Sequence, residues 1–474
     1  MSKKLVTILI AIFVCNASLA SMFHGEHDSN MPEEFLLPKN IVANIKFIDL
    51  KKKVEILRDH EIDILGVNLK QKDLDVLVNE DQLSWLKKKH NVAVKYEKGL
   101  LRRPDQEYKN SEEIAAFLKT MSEQYPNISK LMKIGSSVEG RDIWAIKISD
   151  NPTVDEVEPV ILFNSMHHAR EVMTPEVAID IIEYLLSNYE TDAKVRSWVD
   201  RNEIFVVPML NVDGNNKVWS SDSMWRKNTR GGYGVDINRN YPHKWGECNG
   251  SSGARWSQTY RGPESASEPE TQALMGLVSS VKPVFNISYH SYSELVLYPY
   301  GCRGEKTQTH ALISSIGRKL GELLDYTAGT PWEILYGVDG GDVDWMYASE
   351  QVIPYVIELN STREGFQPSY SRWRDKTVER NRSAWMHLLD RLDESGVRGI
   401  VYDEAGNPTK NFMIEVTTSL GVKVQDYRGN PDGSFHIVLS PGDYKFRVKR
   451  TDSRMVKDAS LSISTQREDT EIRF

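Results

Sequence analysis

The pattern of apolar and polar residues changes twice along the chain and predicts three structural units. In the first unit, four apolar runs are typical of strands (42–50, 61–69, 74–78 and 91–97), and two amphipathic runs are typical of helices (51–60 and 79–90). The resulting order β-α-β-β-α-β is that of a small open α+β sandwich of the split βαβ kind. It ends in a polar connection that contains Arg102 and Arg103.

From Ser111 the apolar runs become longer and alternate between strand and helix patterns. Segment 111–126 predicts a helix that opens with Ser111 as its cap. The strands predicted beyond it are 141–149, 159–166, 203–211, 284–290 and 353–359. The helices predicted beyond it are 174–189, 267–281 and 310–326. This alternation, which continues to about residue 395, predicts an α/β fold with a mostly parallel sheet and helices on both faces.

After Gly396 the pattern changes to short strands separated by turns. The runs 397–403, 411–418, 434–440 and 443–449 are typical of strands, and turn sequences such as PDG lie between them. We therefore expect a small antiparallel β-sandwich at the end of the chain.

The first twenty residues have the pattern of a cleaved export signal. Lysines precede an apolar stretch from Leu5 to Val14, and the small residues Ser18 and Ala20 follow. No later run is long enough to span a bilayer, so we expect a secreted protein, extracellular or periplasmic. Cys248 and Cys302 then remain, and they could form one disulfide.

The overall charge argues against nucleic-acid binding. The chain of 474 residues has a formal net charge of -8, and its basic runs are short. A nucleic-acid binder needs a basic surface, so these runs are read as solvated helix faces.

The densest group of candidate functional residues follows the strand at 159–166. The segment NSMHHAREVMTPE, residues 164–176, lies between this strand and a helix expected to begin at Thr174 as its cap. In open α/β sheets, ligands bind at the carboxyl ends of strands. A histidine and a glutamate three residues apart could hold a zinc ion there, although a lone pair of this spacing is also common by chance. The spacing does not choose between His167 and His168.

Two further strands end on groups that can bind a metal or move a proton. His290 ends the strand at 284–290, and Glu358 lies at the end of 353–359. Between the segment 164–176 and His290 in the sequence, Arg226, Asn238 and Arg239 form a group able to hold an anion.

Seven motifs resemble those of the zinc metallocarboxypeptidases of the pancreatic carboxypeptidase A and B type. In chain order they are HARE, WRKNTR, GVDINRN, TYRGPESASEPET, YHSYSELVLYPYG, YGVDGGDVDW and VIEL. The likeness runs from about Tyr108 to Leu392 and implies the zinc carboxypeptidase fold. It also implies one zinc ion per chain, held by His168, Glu171 and His290. His167 would then pack behind the site or support a ligand instead of binding the metal.

The resemblance also implies roles for the surrounding residues. Asp236 would hold the other nitrogen of the first histidine, with a purely structural salt bridge as the alternative. Glu358 would be the general base, and Arg226 would stabilise the oxyanion. The substrate carboxylate would be clamped by Asn238, Arg239 and Tyr336, and the outer subsites would be lined by Arg170, Ser291, Tyr292 and Phe366.

The same resemblance makes Val343 the floor of the specificity pocket, with Gly301 in its wall. An apolar floor favours Phe, Tyr, Leu or Met as the terminal residue. The adjacent Asp342 leaves basic or mixed specificity open, because a shift of one residue would turn its carboxylate inward. After Glu358 the chain reads Leu-Asn-Ser where the pancreatic enzymes have Leu-Arg-Asp, so the loop near the outer subsites differs.

The flanking units resemble known companions of this fold. The first is similar to the activation segment of procarboxypeptidases, and the last to the transthyretin-like sandwich of regulatory carboxypeptidases. We therefore divide the chain into a signal peptide, a propeptide, a catalytic domain and a β-sandwich, with the bounds 1–20, 21–103, 104–395 and 396–474. A trypsin-like protease could activate this zymogen at Arg102 or Arg103, with a plain linker as the alternative reading of this connection. The sandwich could brace the enzyme or bind a glycan.

The leading hypothesis is a monomeric, secreted zinc exopeptidase that removes one C-terminal residue from peptides or proteins. Trimming of cell-wall peptides is a second enzymatic reading, although the motifs do not indicate a pocket for D or meso-diamino acids. A non-catalytic peptide- or glycan-binding protein is the third reading, and it would require a broken zinc set.

Overall fold

The computed structural model describes residues 41–96, 103–430 and 432–474, which form three packed units. The first unit has the predicted order of elements: β1 (Ile41–Lys46), α1 (Leu50–Asp59), β2 (Asp63–Asn68), β3 (Asp73–Val78), α2 (Glu80–Lys89) and β4 (Val92–Tyr96). Its antiparallel sheet has the strand order β2-β3-β1-β4. The predicted signal peptide and Arg102 lie outside the described residues.

The middle unit consists of a large mixed sheet flanked by helices, which confirms the predicted fold class. Its strands are β5 (Ser129–Ser136), β6 (Asp142–Ile148), β7 (Val160–Ser165), β8 (Glu203–Val207), β9 (Phe285–Ser291), β10 (Leu295–Leu297), β11 (Thr327–Gly329) and β12 (Ile353–Leu359). Its helices are α3 (Ser111–Gln124), α4 (Met173–Asn188), α5 (Ala193–Val199), α6 (Val212–Ser220), α7 (Pro269–Val281), α8 (His310–Leu324), α9 (Pro331–Ile334), α10 (Asp342–Trp345) and α11 (Tyr370–Leu392).

The four central strands of this sheet pair in parallel, and an antiparallel pair follows on each side of them. The strand order is β11-β10-β12-β9-β7-β8-β6-β5. Strands β12, β9, β7 and β8 pair in parallel, whereas β10 runs antiparallel to β12, and β6 runs antiparallel to β8. The carboxyl ends of β7, β9 and β12 therefore lie side by side at one edge.

Two predicted helix starts are wrong by one residue. Helix α3 is capped by Asn110 rather than Ser111, because the Asn110 side chain accepts hydrogen bonds from the amides of Glu112 and Glu113. Helix α4 begins at Met173, so Thr174 is not its cap; the Thr174 hydroxyl instead donates to the carbonyl of Glu171 at 2.9 Å. The tight turn that carries Glu171 extends directly into the helix and leaves no room for a separate cap.

The third unit is a sandwich of two sheets. Its strands are β13 (Gly396–Tyr402), β14 (Phe412–Thr418), β15 (Lys423–Arg428), β16 (Ser434–Val438), β17 (Gly442–Arg450), β18 (Val456–Ile463) and β19 (Arg467–Arg473). The sheets have the orders β16-β13-β19 and β15-β14-β17-β18. The prediction of a wholly antiparallel sandwich is wrong at one pair, since β19 returns to lie parallel to β13.

Two links tie distant parts of the middle unit together. The fully buried Tyr108 donates its hydroxyl to the carbonyl of Pro368 at 2.8 Å, and the amide of Tyr370 donates to the Asp105 carboxylate at 2.9 Å. A disulfide joins Cys248 to Cys302, with their Cα atoms 5.7 Å apart. Across the three described ranges, no helix combines the length and apolar character needed to cross a membrane.

Candidate metal centre and active-site cleft

Three parallel strands bring the candidate metal ligands together. Strand β7 ends just before His167 and His168, β9 carries His290 near its end, and Glu358 lies opposite His290 in the register of β12 and β9. Because the three strands are parallel, their carboxyl ends open on one cleft.

The donor atoms of His168, Glu171 and His290 converge on one point. His168 Nδ1 lies 2.7 Å from Glu171 Oε1, and His290 Nδ1 lies 3.2 Å from both His168 Nδ1 and Glu171 Oε2. Three donors at about 2.0–2.1 Å from a tetrahedral zinc ion would be separated by similar distances. All three side chains are buried. Two imidazoles and a carboxylate in this arrangement therefore fit zinc.

The charge state of Glu171 suits the same purpose. Burial alone would oppose its ionisation, but the neighbouring His168 and His290 outweigh burial and hold the pKa of the Glu171 carboxyl below its usual range. Its second oxygen also accepts a hydrogen bond from the amide of Ser291 at 3.1 Å. The carboxylate is thus fixed in position and ionised.

Asp236 contacts the other nitrogen of His168, as the resemblance implies. Its Oδ1 lies 3.2 Å from His168 Nε2, and its Oδ2 accepts hydrogen bonds from Arg226 Nη2 at 2.9 Å and Nε at 3.2 Å. Although burial opposes ionisation, Arg226 and His168 hold the pKa of the Asp236 carboxyl well below its usual range. One carboxylate therefore orients both the histidine ring and the arginine.

His167 lies behind the cluster rather than in it. Its Nε2 lies 3.0 Å from the Tyr241 hydroxyl and 3.6 Å from Asp342 Oδ2, and its ring stacks on His290 with centroids 5.3 Å apart. Burial lowers the pKa of His167 to about 4, so the ring is neutral at pH 7. Two groups here could hold a metal ion, and the shortest separation of donor atoms is 2.7 Å, between His168 and Glu171, against 3.6 Å between His167 and Asp342.

Most of the predicted site residues line one cavity of about 80 Å³. They are His168, Glu171, Arg226, Asn238, Arg239, His290, Ser291, Tyr292, Tyr336, Val343 and Glu358. Asp236 lies behind this wall, and Arg170 and Phe366 lie beside it under the first unit. The sequence-based assignments thus fall into one cleft and its immediate surroundings.

Glu358 has the environment of a proton-transfer group. Burial raises the pKa of its carboxyl to about 7, and the charge of Glu171 adds to the effect, whereas His290, Arg226 and Arg239 oppose it. Its side chain keeps partial access to the cleft. A carboxyl that titrates near neutral pH can accept and return a proton.

The residues expected to bind an anion are held by backbone groups. Arg239 is 5% exposed, and it donates from Nε to the carbonyl of Gly250 at 3.0 Å and from Nη1 to that of Asn238 at 2.7 Å. The Asn238 side chain accepts from the amide of Asp342 at 2.9 Å. Tyr336 lies across the cavity, with the Arg58 guanidinium 5.0 Å from its ring.

The first unit covers the outer part of the cleft. Arg170 forms an ion pair with Asp63 at 3.1 Å, and the Tyr292 hydroxyl donates to the Asp75 carboxylate at 3.0 Å. A side chain at Gly66 would collide with the Tyr292 ring, so the β2 backbone approaches closely. Phe366 packs edge-on against Tyr292 at 4.6 Å and, with it, against apolar residues of the first unit.

The pocket beside the cluster is mainly apolar. Val343 is buried and packs with Leu297, Leu335 and Val356. The Asp342 carboxylate points toward His167, as its 3.6 Å contact shows.

Sequence reasoning missed Asp344 and Tyr241. Asp344 accepts a hydrogen bond from the amide of Gly301 at 2.9 Å, and burial raises the pKa of its carboxyl to about 7. Tyr241 contacts His167 and packs near Trp345. Asp344 lies within the motif YGVDGGDVDW and Tyr241 follows GVDINRN, but their contacts come from distant loops, and local spacing contains no signal for them.

Comparisons with known proteins agree with this geometry. The chain is 34% identical over 281 residues to the zinc carboxypeptidase of Saccharothrix mutabilis subsp. capreolus, in an alignment that covers 55% of this chain and 64% of that relative. It is 31% identical over 319 residues to zinc carboxypeptidase A 1 of Anopheles gambiae, covering 63% of this chain and 70% of the relative. The alignment therefore spans just under two thirds of the Saccharothrix protein.

The solved structure of carboxypeptidase A from Helicoverpa armigera has the same fold. It superposes with a TM-score of 0.64 at 23% identity, over 74% of this chain and 96% of that chain. A family model described as zinc carboxypeptidase matches residues 114–383, which is more than half of the chain. The protein belongs to the zinc carboxypeptidase family.

Proposed function

We propose that the protein is a secreted zinc carboxypeptidase that hydrolyses the C-terminal peptide bond of peptides or proteins. The observation that carries this proposal is the convergence of His168, Glu171 and His290 in a cleft that also holds Glu358 and Arg239. Metal ligands, a proton-transfer group and a carboxylate-binding arginine are the parts that an exopeptidase of this kind requires.

His168, Glu171 and His290 would hold the zinc ion. Bound zinc supplies Lewis-acid activation of the peptide carbonyl and of the attacking water. Asp236 keeps the His168 ring oriented through its contact of 3.2 Å, and the low pKa of Glu171 keeps its carboxylate available as a ligand.

Glu358 and Arg226 would carry out the proton and charge transfers. Glu358, with a pKa raised to about 7 by burial, would accept a proton from the attacking water and pass it to the leaving amine. The Arg226 guanidinium, fixed by Asp236, would donate to the oxygen on which negative charge develops.

Asn238, Arg239 and Tyr336 would bind the terminal carboxylate of the substrate. The backbone contacts of Arg239 through Nε and Nη1 leave its remaining N–H groups for an anion. This clamp would restrict cleavage to the last peptide bond. Arg170, Ser291, Tyr292 and Phe366 would contact residues further from the terminus.

The terminal side chain would enter the apolar pocket formed by Leu297, Leu335, Val343 and Val356. Burying an aromatic or Leu side chain there contributes about 1.5–3 kcal/mol, so we propose a preference for hydrophobic terminal residues. Basic specificity is the second candidate, because the Asp344 carboxyl lies against Gly301 in the pocket wall. The raised pKa of Asp344, about 7, weakens that alternative, since a half-neutral carboxyl attracts a cation poorly.

The first unit would act as an inhibitory propeptide, because it covers Arg170 and Tyr292. Arg103 is exposed, and the connection before it is basic. Residue 104 is proline, and the tertiary amide after Arg103 is a poor substrate for trypsin-like proteases. We therefore assign the activating cut to the bond between Arg102 and Arg103.

A panel of peptides that differ in their C-terminal residue tests the proposal. The zinc-loaded protein is assayed with and without trypsin, and with and without a chelator. Release of single C-terminal residues that requires zinc supports the proposal. Cleavage only of peptides with D or meso-diamino ends would favour cell-wall trimming, and peptide binding without turnover would favour a binding protein.

A further inference from the structure

A tyrosine next to the floor of the specificity pocket contacts the C-terminal sandwich. Helix α10 carries Val343 and Asp344, and it continues directly into a π-helical turn, Met346–Glu350. Tyr347 in this turn is 6% exposed, and its hydroxyl donates to Gln425 Oε1 of β15 at 2.9 Å. Because Gln425 is only 5% exposed, this hydrogen bond lies inside the interface between the two units.

The same strand of the sandwich also holds the end of the turn. Gln351, the residue after Met346–Glu350, accepts a hydrogen bond from the amide of Arg428 at 2.8 Å. Its Nε2 donates to the carbonyl of Asp426. Strand β15 therefore contacts the turn at Tyr347 and again at Gln351.

Tyr347 also contacts the opposite wall of the pocket. Its ring meets Tyr300 edge-on at 5.7 Å, and its hydroxyl accepts a hydrogen bond from the amide of Thr309 at 3.2 Å. Tyr300 precedes Gly301, whose amide donates to Asp344 at 2.9 Å. One tyrosine thus touches both the segment that carries the floor and the segment that forms the wall.

The helical segment that carries Val343 is too short to fix its own position. With the π-helical turn that follows α10 it runs from Asp342 to Glu350, and isolated helices shorter than about 12–15 residues are only marginally stable. What it packs against must therefore set where Val343 lies. On its far side, the contacts of Tyr347 and Gln351 with β15 provide that support.

We propose that the C-terminal sandwich positions the specificity pocket, and that Tyr347 and Gln425 are the positioning residues through which it does so. This inference rests on the proposed carboxypeptidase function. It gives the sandwich a role in selectivity, distinct from a general effect on stability.

The test compares Tyr347→Phe and Gln425→Ala with the control Gln466→Ala, which changes an exposed glutamine of the same sandwich. The readout is kcat/KM for peptides ending in Phe relative to the same peptides ending in Ala, at equal zinc content. We expect both variants to lower this ratio about fivefold, because a displaced floor costs most for the larger side chain. The control should keep the wild-type ratio.

Amide hydrogen exchange measures the same coupling without substrate. We expect faster exchange over residues 298–302 and 342–351 in Tyr347→Phe and in Gln425→Ala. Unchanged exchange and an unchanged Phe to Ala ratio, with only a lower Tm, would overturn the inference. If the zinc-loaded wild type cleaves no peptide, the proposed function fails, and the exchange data still decide whether the sandwich positions the pocket segments. Tyr347→Phe keeps the aromatic ring, so this variant still tests the inference if Gln425→Ala does not fold.

Discussion

The metal corner and the specificity pocket share one cleft but are held together by different forces. The metal corner, defined as His168, Glu171, His290 and Asp236, consists of buried charged and polar groups that orient one another. The pocket, defined as Leu297, Leu335, Val343 and Val356, consists of apolar side chains. In the proposed function, electrostatic preorganisation would serve bond cleavage, whereas apolar burial would serve recognition of a side chain.

The two regions also differ in their support. The corner lies at the carboxyl ends of β7 and β9, in the centre of the sheet, where both strands are paired on each side. The pocket includes Val356 of β12, but its other residues come from the short strand β10, from α10 and from the residue that follows α9. Changes in the corner should therefore affect turnover for every substrate, and changes in the pocket should affect the choice among substrates.

The largest effect is expected from His168→Ala. Removing one ligand should abolish stable zinc binding and turnover together, whereas the control His167→Ala should retain about one equivalent of zinc. Metal content by elemental analysis and kcat are measured on the same samples. If His167→Ala loses the metal and His168→Ala keeps it, the ligand assignment is wrong.

Glu358→Gln should separate metal binding from chemistry within the same corner. The amide keeps the shape of the side chain but cannot accept a proton, so we expect kcat to fall about 10²–10⁴-fold with zinc content unchanged. Equal losses for peptides ending in Phe and in Ala would show that the pocket is intact. Zinc loss in this variant would contradict the assignment of Glu358 as the base.

Val343→Asp should change selectivity while the corner keeps its metal. A charged floor disfavours Phe and favours Lys or Arg, and we expect the ratio of kcat/KM for Phe over Arg to fall about 100-fold. The control Asp342→Asn should leave that ratio near the wild-type value, because the Asp342 carboxylate faces His167. A larger change in the control than in Val343→Asp would mean that the Asp342 carboxylate, which also lines the cavity, determines the specificity.

Asp63→Asn tests whether the first unit covers the metal corner and the pocket to the same extent. Breaking its ion pair with the buried Arg170 should raise the activity of the intact chain about fivefold, for Phe and Ala peptides equally. Asp59→Asn, at an exposed position of the same unit, is the matched control. No rise in Asp63→Asn, together with equal activity of intact and clipped protein, would exclude an inhibitory role.

The smallest effect concerns the pH dependence of stability at Asp344. Burial raises the pKa of this carboxyl to about 7, above its value in the unfolded chain, so its favourable contribution exists at low pH and is lost as the pH rises through 7. Asp344→Asn does not titrate, and its Tm relative to wild type should increase by about 2–4 °C between pH 4 and pH 8. Thermal unfolding at both pH values measures this. If Asp344→Asn also loses cleavage of peptides that end in Arg, the result would instead support basic specificity.

The sequence predicted the parts of this cleft that depend on local pattern. The apolar runs located β7, β9 and β12, and the rule that parallel strands align their carboxyl ends predicted that the turn with His167 and His168 would meet His290 and Glu358. The order of elements in the first unit followed from the same periodicity. The choice of His168 over His167 required the family resemblance, because both follow the strand directly.

The sequence predicted less where packing between distant segments decides the structure. Helix α11 has so long a polar face that its apolar stripe is hard to recognise in the sequence. Trp385 of this helix becomes part of the core only because it packs against Phe163 and Tyr184. Asp344 acquires its raised pKa from burial, which depends on the whole fold. The parallel pairing of β13 with β19 depends on where the chain returns after seventy residues, and local periodicity contains no such information.

The anchoring of Tyr108 determines how accessible the N-terminus of the mature enzyme would be to other proteases. A cut between Arg102 and Arg103 creates a free amino end only a few residues before Asp105, which accepts a hydrogen bond from Tyr370, and before the buried Tyr108. An aminopeptidase must bind several unstructured residues at the N-terminus of its substrate. Almost none would be available here, and Pro104 would be the second residue of the new chain end. The new end would therefore resist trimming, and activation would yield a single molecular species with a uniform N-terminus.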